Sequence, residues 1–260
     1  MSKSSFLNHE RPLLVSMIQA RTPERVEELM ERSLEEGAEA FGIQFCKLEG
    51  EYRNRETYKA ILEKAGDVPV YATNYRLKRG CADETKSDDA LGEELLEIAR
   101  CGATLCDVMG DYFDPCAGEL TEDPSAVKKQ MELIERLHGE GAEVLMSSHV
   151  LKFIPAEEVL KIAMEHQRRG ADICKIVTGA STMAEQIENL RIINMLKENL
   201  DIPFLFLSGG ECHITRRIGG IIGSCMSLCV AEHDELSTKS QPLLREMKLI
   251  REYMDAKNYI

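Results

Sequence analysis

Apolar residues gather along the chain in eight short runs at fairly even intervals. They are PLLVSMI (12–18), AFGIQFCKL (40–48), VPVYATNY (68–75), TLCDVMG (104–110), EVLMSSHV (143–150), DICKIVTG (172–179), PFLFLSGG (203–210) and CMSLCVA (225–231). Short apolar runs rich in β-branched residues suit strands of a parallel sheet covered on both faces. Most of the intervals carry apolar residues at helical spacing. TPERVEELMERSLEEG begins with Thr22 as N-cap and Pro23 in the first turn, and ends at Gly37. DPSAVKKQMELIERLHGEG repeats that grammar with Asp123 as cap, and QPLLREMKLIREYM closes the chain. The segments after the third and seventh runs are less periodic. Strand–helix alternation implies parallel strands with right-handed crossovers. Eight such units in one chain of this length predict an α/β (β/α)8 TIM barrel, a single domain across 1–260. An open doubly wound sheet is the rival, but no G-x-G-x-x-G follows the first run.

Charge narrows the range of partners. Asp plus Glu number 45 against 32 Lys plus Arg, a formal charge of −13. An acidic chain without a basic stripe argues against nucleic acid and against anionic membrane surfaces. No run reaches the length of a membrane span, and the first residues show no signal-peptide core, so a cytoplasmic location is expected. The nine cysteines form no C-x-x-C pair; Cys46, Cys106, Cys174, Cys225 and Cys229 sit in apolar runs. They read as free thiols in a reducing compartment, and their spacing offers no zinc site.

A barrel of this kind carries its chemistry at the C-terminal ends of its strands. That rule selects His149 at the end of run five, Lys175 within run six, Arg76 after run three, Glu211, His213, Arg216 and Arg217 after run seven, and Ser237 and Gln241 after run eight. Lys175 is the most telling. A lysine inside a buried strand is paired to a carboxylate, reaches solvent with its head, or is held neutral as a nucleophile. An amine, a base and an anion clamp converging on one mouth favour the last.

At these residues the chain resembles the type I 3-dehydroquinate dehydratases. GADICKI resembles the family's Schiff-base strand, with Lys175 as the imine-forming lysine. SSHVL resembles the strand with the catalytic histidine, here His149. ITRRIGGIIGS resembles the family's carboxylate-binding segment, and the spacing to Gly223-Ser224 selects Arg216 over Arg217. STKSQ resembles the Ser-x-x-x-Gln loop that closes on substrate, giving Ser237 and Gln241. The family's arginine after strand three is matched by Arg76. The resemblance implies a lyase of the shikimate pathway that converts 3-dehydroquinate to 3-dehydroshikimate through a lysine imine. It implies an anionic keto acid as partner, no metal or organic cofactor, and a homodimer.

The chain departs from the family in three places. Strand two ends in Gln44-Phe45-Cys46 where the family has Glu-x-Arg, so Gln44 would meet the substrate in place of a carboxylate. Gly80, beside Arg79, stands where the family has the glutamate that orients the histidine; Asp107, Asp111 and Glu211 are candidates to replace it. Gly209 stands where the family has a methionine. These changes keep a second reading open, a Schiff-base dehydratase or aldolase-type lyase acting on another polyhydroxylated keto acid or keto sugar. A third is a non-catalytic barrel that binds such a ligand. The expectation for Lys175 is a neutral amine, with Arg216 as the neighbouring cation; Lys47 and Lys78 are the next amines in line.

Overall fold

A computed structural model describes residues 5–7, 9, 12–76 and 86–254. Lys78, Arg79 and Gly80 lie outside the described residues. The elements run β1 (Leu13–Ile18), α1 (Pro23–Glu35), β2 (Ala40–Gln44), α2 (Arg55–Ala65), β3 (Val70–Thr73), α3 (Asp88–Cys101), β4 (Leu105–Met109), α4 (Pro124–Gly139), β5 (Glu143–His149), α5 (Ala156–Arg168), β6 (Ile173–Ala180), α6 (Met183–Asn199), β7 (Phe204–Gly210), α7 (Thr215–Ile222), β8 (Met226–Cys229) and α8 (Leu244–Tyr253). All strand pairs are parallel, in the order β7-β6-β5-β4-β3-β2-β1-β8. The strands form a nearly closed barrel with the helices around it. At the β7/β8 seam the Cys225 amide donates to the Phe204 carbonyl at 2.8 Å. Ser224 Oγ accepts from the Phe206 amide at 3.2 Å. The Gly-Ser pair expected after α7 therefore ends that helix and helps close the barrel.

The helices start where their caps predict. Thr22 and Asp123 accept from the amides of Arg25 and Ala126, at 3.4 and 2.8 Å, each ahead of a first-turn proline. Thr182 and Glu185 form a capping box at α6. The second apolar run departs from expectation. Its strand stops at Gln44, and Phe45–Lys47 turn into a 3-10 helix that buries Phe45 and Cys46.

Strand parity divides the apolar residues into two layers, because alternate side chains face opposite sides. Leu13, Val15, Met17, Ala40, Leu105, Leu145, Ile173, Val177, Leu205, Leu207 and Leu228 fill the barrel. Phe41, Ile43, Cys106, Val108, Val144 and Met146 face the helices, as do Cys174, Ile176 and Phe206. Phe6 joins the inner cluster, its amide donating to Glu143 Oε2 at 2.8 Å. Gly42 faces inward, where a Cβ would come within 2.2 Å of Met17 Sδ, so any larger residue there would force that methionine's side chain to move.

Between β5, β6 and α5 lies a buried His166. Its Nε2 meets Ser148 Oγ at 2.9 Å and its Nδ1 meets Cys174 Sγ at 3.3 Å. Burial, with the nearby Arg169 charge second, pulls its pKa down to about 3. The unfolded imidazole takes up a proton near its ordinary 6.5 while the folded one resists until about 3. Stability therefore drains as pH falls through that window. Between pH 7 and 4 this one residue should cost about 3 kcal/mol. Denaturant unfolding of the wild type and His166→Gln at both pH values should show the variant's loss smaller by roughly that amount.

Candidate active site

Parity also places polar side chains inside the barrel. On β6, Ile173, Lys175 and Val177 point inward; on β4, Leu105 and Asp107 do; on β5, Leu145, Ser147 and His149. Tyr71 enters from β3, and Tyr75 two turns of the pleat later. A polar layer thus rests on the apolar floor of Leu105, Leu145 and Ile173.

Lys175 Nζ donates to Tyr75 Oη at 2.8 Å, to Tyr71 Oη at 2.9 Å and to Asp107 Oδ2 at 3.2 Å. Both tyrosine hydroxyls donate to Asp107 Oδ2, and Ser147 Oγ donates to Oδ1 at 2.6 Å. Asp107 is fully buried and Lys175 is 4 % exposed. Four donors surround a carboxylate that no water reaches, which is what a buried charge needs to persist. Burial first, then Asp107, pushes the Tyr71 phenol well above its ordinary range, so it stays a hydroxyl. The charge beside the amine is thus a carboxylate, where the sequence suggested the cation Arg216.

His149 sits two residues beyond Ser147 on the same face of β5. At the usual strand rise that is about 6–7 Å further toward the mouth. Its Nδ1 donates to Glu119 Oε2 at 2.7 Å, and its amide donates to the same oxygen at 2.9 Å. A carboxylate on Nδ1 makes Nε2 the basic nitrogen. The Tyr75 ring lies edge-on to the imidazole, centroids 5.7 Å apart. Glu119 is the orienting carboxylate that sequence reasoning missed. Asp107 serves Lys175, Asp111 accepts from Arg76 Nη1 at 2.7 Å, and Glu211 is exposed.

The loop that carries Glu119 is held from outside the barrel. Glu119 has φ +52°, a left-handed conformation that costs a non-glycine residue energy. Its carbonyl accepts from Ser148 Oγ at 2.6 Å. Gly110 packs beneath it; a Cβ there would lie 2.4 Å from the Glu119 oxygen. Arg169 donates to the Gly110 and Thr121 carbonyls at 3.2 and 2.7 Å and to Gln130 Oε1 at 2.8 Å. The loop is pinned on both sides of Glu119.

Above Lys175 opens a cavity of about 430 Å³. Lys175, His149, Tyr75, Arg216, Gln44, Lys47, Ser237 and Gln241 all line it. Arg216 is buried at the start of α7, and its Nε donates to the Ser208 carbonyl at 2.7 Å. Burial lowers its pKa to about 10, and it remains a cation at neutral pH. Gln241 Oε1 is buried with no hydrogen-bond partner among the described residues. An orphaned acceptor in a cavity wall is a place for a ligand donor. Ser237 Oγ donates to the Asp234 carbonyl at 3.0 Å, and Gln19 Nε2 donates to Thr238 Oγ1 at 3.1 Å, tying this loop to the end of β1.

One expectation is corrected: Arg76, expected at the substrate, does not line this cavity. Its guanidinium pairs with Asp88 through Nε and Nη2, both at 2.6 Å, and with Asp111, beside a separate hollow. Parity explains it, for Arg76 follows the inward Tyr75 by one residue. Cys46 is buried in the core under the 3-10 turn, and Lys47 rather than Cys46 reaches the cavity from that segment. Among the described residues no group of three His, Cys, Asp or Glu side chains is placed to hold a metal ion, and no helix is long and apolar enough to cross a membrane.

Comparison with known proteins matches residues 17–258 to the family model described as type I 3-dehydroquinase. A 3-dehydroquinate dehydratase of Syntrophotalea carbinolica is 30% identical over 171 residues, which is 64% of this chain and 62% of that protein. Two solved structures share the fold. The 3-dehydroquinate dehydratase of Geobacillus kaustophilus has a TM-score of 0.82 at 16% identity, covering 96% of this chain and 93% of that one. The type I enzyme of Clostridium difficile, solved with covalently modified comenic acid, has a TM-score of 0.80 at 18% identity, covering 96% and 95%.

Proposed function

Since the chain belongs to the type I 3-dehydroquinase family, we propose that its cavity dehydrates 3-dehydroquinate to 3-dehydroshikimate through an imine on Lys175. The observation that carries this reading is one wall holding a buried amine, a carboxylate-oriented histidine and a buried arginine. Lys175 attacks the ring ketone, and the resulting iminium draws electrons from the adjacent C–H bond. His149 Nε2 removes that proton, and Glu119 supplies the counter-charge for the imidazolium that forms. The enamine then expels the β-hydroxyl, which the imidazolium protonates, and water frees the lysine. Every step uses side chains of this chain.

Arg216 is the anchor for the substrate carboxylate, with Gln241 and Ser237 closing beside it. Gln44 and Lys47 meet the ring hydroxyls. A cytoplasmic site of action fits the free thiols of the described cysteines, and a homodimer is the expected assembly.

The direct test is turnover of 3-dehydroquinate, followed by the absorbance of the conjugated product. No turnover, together with imine trapping of another keto acid, would shift the substrate and keep the chemistry. Arg216→Ala should lower kcat/KM by roughly 10²-fold, mostly as a raised KM, because a carboxylate clamp binds ground and transition states alike. An unchanged KM would remove Arg216 from the anchor.

A further inference from the structure

Imine formation poses a proton problem at this site. A nucleophilic amine needs its lone pair, yet Lys175 Nζ lies 3.2 Å from the buried Asp107 carboxylate. A contact of that kind favours the ammonium. The proton must leave Nζ before attack, and a proton must later reach the hydroxyl that departs from the carbinolamine. His149, two residues beyond Ser147 on β5, presents Nε2 to the same cavity with Nδ1 held by Glu119, while the two tyrosines and Asp107 are hydrogen-bonded directly to Nζ.

The hydrogen bonds around Lys175 supply the route. Nζ donates to Tyr75 Oη, and that hydroxyl donates to Asp107 Oδ2. The two bonds run head to tail. Tyr71 makes the same pair of bonds but is fully buried and absent from the cavity wall, whereas Tyr75 lines it. Tyr75 alone of the two can touch both the amine and a ligand. Resting on the Schiff-base reading above, we propose that Tyr75 and Asp107 are the proton relay of imine formation, with Tyr75 a catalytic residue at the reacting nitrogen.

The step balances without any outside reagent. Tyr75 Oη accepts a proton from Nζ as it gives its own to Oδ2, which leaves a neutral amine and a protonated Asp107. The amine adds to the ketone carbon: an N–C bond forms, the C=O π bond breaks, and the nitrogen's surplus proton passes to the carbonyl oxygen. Asp107 then returns its proton through Tyr75 to that hydroxyl. The C–O bond breaks, water leaves, the iminium forms and Asp107 is a carboxylate again. Net, an ammonium and a ketone become an iminium and one water.

The experiment is a time course of borohydride quenching with 3-dehydroquinate, read by intact mass, on wild type, His149→Ala and Tyr75→Phe. Tyr75→Phe removes one oxygen and keeps the ring. It should slow adduct formation about 10²-fold, the low end for general acid–base help. Its labelled fraction during turnover should fall, whereas His149→Ala, blocked after the imine, should stay labelled. Asp107→Asn, which keeps the shape but cannot store the proton, should match Tyr75→Phe and serves if that variant fails to fold. Wild-type adduct kinetics in either variant would overturn the relay and leave the Schiff-base reading standing. No adduct in the wild type would remove both.

Discussion

Lys175→Met should abolish turnover, by at least about 10⁴-fold, since it removes the amine that carries the covalent intermediate. Methionine keeps most of the side-chain volume inside the barrel. The substitution strips Asp107 of its cationic neighbour but leaves three hydroxyl donors, from Tyr71, Tyr75 and Ser147. A buried carboxylate with that many hydrogen bonds can persist, so the variant should fold with a lowered melting temperature. Near-UV circular dichroism separates loss of fold from loss of chemistry. A folded Lys175→Met protein that still turns over would show that the family resemblance extends to the barrel alone.

His149→Ala should lower kcat by about 10²–10⁴-fold, the range that a positioned general base supplies. Its signature differs from that of Lys175→Met. The amine and its relay are untouched, so an imine still forms and accumulates while proton removal stalls. Steady-state rates paired with borohydride labelling tell the two apart. A His149→Ala protein that turns over at wild-type speed would transfer the base role elsewhere, with Tyr75, whose ring packs edge-on to the imidazole on the cavity wall, the next candidate.

The barrel was legible because its strands are buried on both faces and so read as apolar runs, and because Thr22 and Asp123 announce their helices. Lys175 and His149 were legible because strand parity and strand ends are sequence properties. Tyr71 and Tyr75 could have been found by the same rule: in VPVYATNY, residues 71, 73 and 75 share one face, and Arg76 falls on the other. Glu119 could not. It reaches His149 from an irregular loop whose shape depends on a left-handed backbone at residue 119, a glycine at 110 and the distant Arg169. No period in the sequence encodes those contacts. The sign of the charge beside Lys175 was also hidden, because Asp107 could equally have served the histidine until the neighbouring tyrosines fixed its place. The extra turn at Phe45–Lys47 was masked by an apolar run that continues past the end of β2.

The central claim is a covalent imine at one lysine, and one measurement addresses it directly. Incubation with 3-dehydroquinate and borohydride, followed by proteolysis and peptide mass mapping, should place a single label on Lys175 and none on the Lys175→Met variant. A label on Lys47, which lines the same cavity, or an unlabelled protein that nevertheless turns over substrate, would contradict the account.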